Sequence, residues 1–120
     1  MNKNHFRIFI LIAFGAVLGA GIRWIINDYF FVNILGSLLI GFLVGISSSE
    51  DLMLLFGIGM CGSMTTFSGW ITKSFALIYQ GLFFKGLLLI LYMYLFGLIA
   101  VISGFFLARR IKLLMLSRWR

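Results

Sequence analysis

The chain has no proline, one cysteine, one histidine and only three acidic residues among 120. Each scarcity removes a class of function. A single cysteine, Cys61, can neither form an intrachain disulfide nor offer paired thiolates to a metal, and its expected use is packing. His5 stands near the N-terminus without companion ligands. The acids, Asp28, Glu50 and Asp51, sit near expected helix ends, so no carboxylate pair is available inside the apolar segments for acid–base work. An enzyme is not expected, and no residue is given a catalytic role. A proton-coupled pump is equally disfavoured, because such transporters ordinarily carry an ionisable group within a span; the one clear candidate is Lys73.

Apolar residues supply 62% of the chain and charged ones 11%, a balance suited to the bilayer rather than water. A span needs roughly 20 apolar residues. About four such stretches fit, over 6–22, 29–46, 52–84 and 86–108, which makes residues 1–120 a single transmembrane unit of the all-α class. The formal net charge of +7 lies at the ends and beside apolar segments, a pattern for membrane lipid and topology rather than nucleic acid. Lys3 and Arg7 before an apolar run resemble a signal peptide, but the Gly15 to Gly21 stretch leads to Arg23 instead of a cleavage site, so the segment reads as a retained helix.

The third stretch is too long for one helix: 33 residues at 1.5 Å would reach about 50 Å, against a hydrocarbon core of roughly 30 Å. Its small and polar residues, Gly57, Gly59, Gly62, Ser63, Thr65, Thr66, Ser68 and Gly69, predict a break near 62–66. Non-helical backbone at that depth is tolerated only when buried in protein or lining a polar cavity, so the break points to function. The fourteen glycines otherwise predict close helix packing, with stripes at Gly15/Gly19 and Gly41/Gly45.

The remaining chemistry is neutral hydrogen bonding: Asn33, and the run Gly62-Ser63-Met64-Thr65-Thr66-Phe67-Ser68-Gly69-Trp70. Amides, hydroxyls and freed carbonyls can solvate a small ion without fixing a countercharge. Four features in order now resemble the Fluc (CrcB) fluoride channels: Gly15-Ala16-Val17-Leu18-Gly19-Ala20 followed by Arg23; Asn33-Ile34-Leu35-Gly36-Ser37 leading to Gly41; the Gly62 to Ser68 run with its Thr-Thr-Phe-Ser; and a glycine-bearing fourth span.

The resemblance implies an antiparallel dimer of four-helix subunits, with fluoride pathways at the interface and a central structural sodium ion. It implies main-chain carbonyls of Gly62 and Thr65 on the sodium, and Asn33, Phe67, Ser68, Trp70, Tyr92 and Ser103 along the fluoride pathway. Trp70 and Gly69 depart from the phenylalanine and threonine usual in the family, and Tyr92, Tyr94 and Ser103 give a thin polar track in the fourth span. Arg23 and Lys73 are vestibule candidates, each also readable as an interfacial anchor. Asn33 is also readable as a helix-to-helix hydrogen bonder, and Phe67 and Trp70 as a packing pair.

The expected function is passive, fluoride-selective export that relieves fluoride toxicity. Two alternatives differ in class: a structural subunit of a heterodimeric channel with partly degenerate pore residues, and a small multidrug transporter. The latter needs a glutamate in the first span, and none occurs there. Basic residues at both chain ends, Lys3, Arg7, Arg109, Arg110, Lys112, Arg118 and Arg120, outnumber Arg23 and Lys85 near the other side. The positive-inside rule then puts both termini in the cytoplasm, with the chain in a bacterial cell (inner) membrane. So lopsided a subunit is expected to pair with a paralogue of opposite orientation.

Overall fold

The computed structural model describes residues 2–117. Helix α1 spans Lys3–Ile26 and α2 spans Tyr29–Ile46. The third span starts as α3, a turn of α-helix Glu50–Leu52 that becomes a π-helix over Met53–Cys61 and closes with Gly62–Met64. After two extended residues α4 spans Phe67–Tyr79, and α5 spans Phe83–Ser117. Four helical segments are long and apolar enough to cross a membrane, Glu50–Tyr79 counting as one. The protein is thus a four-span, all-α membrane protein whose third span is broken, as its composition and glycine pattern predict.

Local chemistry sets the boundaries. Asn27 adopts a left-handed conformation (φ 49°) to end α1, and the Asp28 carboxylate caps α2 by accepting from the Phe31 N–H at 3.0 Å. The last turn of α2 closes when Ser47 and Ser48 donate backwards to Val44 and Leu43. Ser49 then caps α3.

At the end of α4, Gly81 (φ 80°) and Leu82 donate to Ile78 and Leu77, the paired bonds of a Schellman motif. A reading that runs the third stretch to residue 84 misses this turn. Its only polar residue is Gln80, so the stop is written in glycine's conformational freedom rather than in polarity. The fourth span likewise continues beyond 108: α5 is one 35-residue helix, about 52 Å long, and its basic end is helical to Ser117. Arg118 and Arg120 lie outside the described residues.

The glycine stripes are the packing seams. A Cβ at Gly15 or Gly19 would collide with the carbonyls of Leu55 or Met60 on α3, and Gly59 approaches the α1 backbone at Ile12 and Gly15. On the other seam Gly41 and Gly45 meet the carbonyls of Val101 and Phe105 on α5, and Gly104 returns the approach at Leu38. Partner numbers rise from Gly15–Leu55 to Gly19–Met60 and from Phe30–Phe96 to Ser47–Lys112, so α1 runs parallel to α3 and α2 parallel to α5. α4 packs on α5, drawn close where Gly86 faces the Ser74 carbonyl.

Both termini therefore share one side. The Arg7 guanidinium pairs with Asp51, and the Lys112 ammonium donates to the Ser47 hydroxyl at 3.0 Å, tying both ends of the chain to the 47–51 loop. These exposed contacts add little stability, but they fix which chain segments lie together.

Candidate functional site

The break consists of Thr65 and Thr66, both extended (φ −75°, ψ 146° and φ −142°, ψ 122°). An unbroken helix would send the Thr66 N–H to the Gly62 carbonyl and the Gly69 N–H to the Thr65 carbonyl. Neither bond forms. The Thr66 N–H donates to Asn33 Oδ1 at 2.7 Å, while Gly69 N–H is capped by the Thr66 hydroxyl at 3.4 Å. The carbonyls of Gly62, Ser63, Met64 and Thr65 thereby lose their helical donors.

Asn33 completes the exchange, since its Nδ2 donates to the Thr66 carbonyl at 3.0 Å. One side-chain amide thus serves both backbone groups of the same residue, and the break is held from α2 by a two-bond clamp. The Cys61 carbonyl takes both the N–H and the hydroxyl of Thr65, at 3.0 and 2.9 Å. Ser63 turns away to α1, donating to the Ala16 carbonyl at 2.9 Å. Part of the backbone freed at membrane depth is here satisfied by side chains.

The clamp borders an open groove of about 790 Å³ on one face of the subunit, walled by α2, α3, α4 and α5. Asn33, Gly62, Thr65, Phe67 and Trp70 all line it, joined by Ser37. Among the described residues no charged side chain does. The rings of Phe67 and Trp70 meet edge to face, 4.9 Å between centroids and 77° between planes; Phe67 remains 69% exposed, open to whatever covers the groove.

The other candidates lie elsewhere. Ser68 is exposed and shares a hydrogen bond with the Thr66 hydroxyl, 3.1 Å. Tyr92 stacks on Phe96, and neither it nor Ser103 is in the groove lining. From α5, Tyr94 and Gly97 line the groove beside Leu87, Ile90, Leu91 and Met93, and a Cβ at Gly97 would lie 3.7 Å from the Ser37 hydroxyl. Lys73 sits over the Tyr29 ring, 5.2 Å from its centroid, a cation–π contact at the start of α2, beside the last turn of α1 that holds Arg23. Sequence alone offers no means to choose Tyr94 over Tyr92, because a fourth span that is apolar all round marks no face.

A test of the groove as an ion pathway is the pair Trp70→Phe, expected to maintain or raise flux, and Trp70→Ile, expected to lower it, because only the second removes an aromatic edge. Equal flux in both variants would assign Trp70 to packing.

The CrcB-like protein, Camphor Resistance (CrcB) family model matches residues 10–105. Fluoride-specific ion channel FluC 1 of Prochlorococcus marinus is 42% identical over 111 residues, which cover 92% of this chain and 89% of the relative. The FluC 1 of a second strain of that species is 40% identical over 110 residues, 92% and 95% of the two chains. A FluC 2 from a third strain is 41% identical over 87 residues, 72% and 70% of the two chains.

Proposed function

The chain belongs to the CrcB family, and from that membership we infer that it is a subunit of a passive, fluoride-selective channel that exports fluoride and protects the cell from it. The observation that carries this reading is the broken third span, clamped by Asn33 at the edge of a groove with neutral polar groups and, among the described residues, no charged side chain.

Fluoride is small and strongly hydrated, so a pathway must replace its water with close donors or meet a large desolvation cost. Those donors must also release it. An asparagine amide has two N–H groups; one of Asn33's is bound to the Thr66 carbonyl, and the second is the donor we assign to the anion. Phe67 and Trp70 add the positive edges of their rings, with Ser68 next in line. Tyr92 and Ser103, eleven residues apart, fall about 20° apart around α5. Lying off the subunit's own groove, they are suited to the pathway of a second subunit. Arg23 and Lys73, near the 27–28 turn, would raise anion concentration in a vestibule. An inside-negative potential drives the anion out.

Completion of the groove requires a partner, and we propose an antiparallel dimer. The freed carbonyls of Gly62 and Thr65 are hard oxygen ligands, a fit for sodium rather than a transition metal; one pair from each subunit would hold the ion at the dimer centre and join the two breaks. Replacing sodium with a large organic cation is expected to lower assembly or flux, and a transition-metal chelator to change neither. Unaltered behaviour without sodium would remove the site.

Proteoliposomes and a fluoride electrode test the whole reading. Rapid fluoride efflux with negligible chloride efflux is expected, and chloride efflux matching fluoride would overturn it.

A second reading concerns the partner. Among the described residues the side bearing the termini holds Lys3, Arg7, Arg109, Arg110 and Lys112, and the far side Arg23, Lys73 and Lys85; relatives named FluC 1 and FluC 2 occur. This supports cytoplasmic termini in a bacterial inner membrane and a heterodimer with an oppositely oriented paralogue. The chain would then supply structure and one set of pathway residues. A reporter fused to the C-terminus should give a single cytoplasmic population; mixed orientations, together with flux from this chain alone, would establish a homodimer instead.

A further inference from the structure

A second groove lies toward the terminal side of the α2–α5 seam. It has a volume of about 390 Å³ and is walled by Ile40, Val44, Val101, Ile102, Phe105 and Phe106, with no polar side chain in its lining among the described residues. No ion pathway can use such a surface, because nothing in it replaces hydration. Its chemistry suits a hydrocarbon chain, and the bilayer around the protein supplies one.

The end of the groove nearest the chain terminus is cationic. The Arg109 guanidinium lies over the ring of Phe105, itself a wall of the groove, 5.5 Å from the centroid. Arg110 stands one helical turn beyond Phe106, the other aromatic wall, and so follows the same face of α5. Lys112, three residues beyond Arg109, donates to Ser47 at the end of α2, which binds the tail of α5 to α2 below the groove. The acids of the same side lie away from it, Asp51 being paired with Arg7 at the α1–α3 edge.

We propose that this groove is a binding site for an anionic phospholipid, with one acyl chain between α2 and α5 and the headgroup phosphate at Arg109 and Arg110. The apolar length and the cationic end follow one another along the helix in the order of a lipid's own chain and headgroup. Arg109 is held over Phe105, so its guanidinium is already positioned before a phosphate arrives, and guanidinium geometry favours bidentate phosphate contacts. The site stands on the opposite end of the α2–α5 seam from the Phe67–Trp70 pair.

The test places the photoreactive residue p-benzoylphenylalanine at Phe106, or at Ile102 if the first variant does not assemble. The assembled protein is reconstituted in vesicles of equal phosphatidylglycerol and phosphatidylcholine with identical acyl chains. The expected adduct is mainly phosphatidylglycerol, and Arg109→Gln lowers its excess over phosphatidylcholine by about five-fold, the weight of one cation near a charged lipid. Lys85→Gln, at the far end of α5, leaves the excess unchanged. Native mass spectrometry of the unmodified chain gives the same comparison from retained lipid. Equal adducts of the two lipids, an excess untouched by Arg109→Gln, or an adduct with a second copy of the protein would each overturn the proposal.

Discussion

Asn33→Ala is expected to lower fluoride efflux by about a hundredfold, equivalent to ~3 kcal/mol, and to lower the melting temperature of the same preparation. The two effects have one origin. Asn33 both accepts from the Thr66 N–H and donates to the Thr66 carbonyl, and alanine leaves both groups without that partner. Each such loss costs about 1–3 kcal/mol. Asn33→Asp separates the contributions: it retains the acceptor for Thr66 N–H, removes the donors, and adds a negative charge to the groove. Flux should vanish in this variant too. Fluoride efflux from proteoliposomes and a thermal melt in detergent measure the pair of effects. A lower melting temperature with normal flux would confine Asn33 to the clamp, and wild-type values of both would dismiss the clamp as well.

That double duty separates what the sequence discloses from what it conceals. The break is legible because a 33-residue apolar stretch cannot be one helix across roughly 30 Å, and because its glycines and threonines are concentrated where α3 ends. Asn33 is legible as the one amide in the second span, but its bonds to Thr66, 33 residues away, depend on how α2 docks beside the break. The end of α4 is concealed for a different reason: Gly81 acts through backbone conformation, and its neighbours Leu82 to Phe84 continue the apolar run without a polarity signal. The lining of α5 is concealed because lipid and protein interior are equally apolar, so hydrophobic periodicity no longer reports which face is buried. Tyr92 and Tyr94 are indistinguishable by that criterion, though only Tyr94 lines this subunit's groove.

In a protein without a hydrophobic force between its helices, close backbone approach carries the assembly, so the second large effect is expected at Gly104. A Cβ there would collide with the Leu38 carbonyl and crowd the Phe42 N–H. Those are main-chain atoms of α2 inside its own hydrogen-bonded ladder, and no side-chain rotation relieves the clash. α5 must move away, which also opens the contacts of Gly41 with Val101 and of Gly45 with Phe105. Overpacking ordinarily costs about 1–3 kcal/mol; with a whole seam displaced, Gly104→Val should exceed that range and yield no monodisperse protein in detergent. Gly21→Val is the matched control, since a Cβ at Gly21 meets nothing within 4 Å and valine is no worse than glycine for helix propensity. It should melt within a few degrees of the wild type, by the ~1 kcal/mol scale of surface changes. Size-exclusion profiles and thermal melts of the two variants, made side by side, decide the matter. A Gly104→Val protein that elutes and melts like the wild type would mean that the α2–α5 seam does not hold this fold together, and the placement of the groove that depends on it would fail with it.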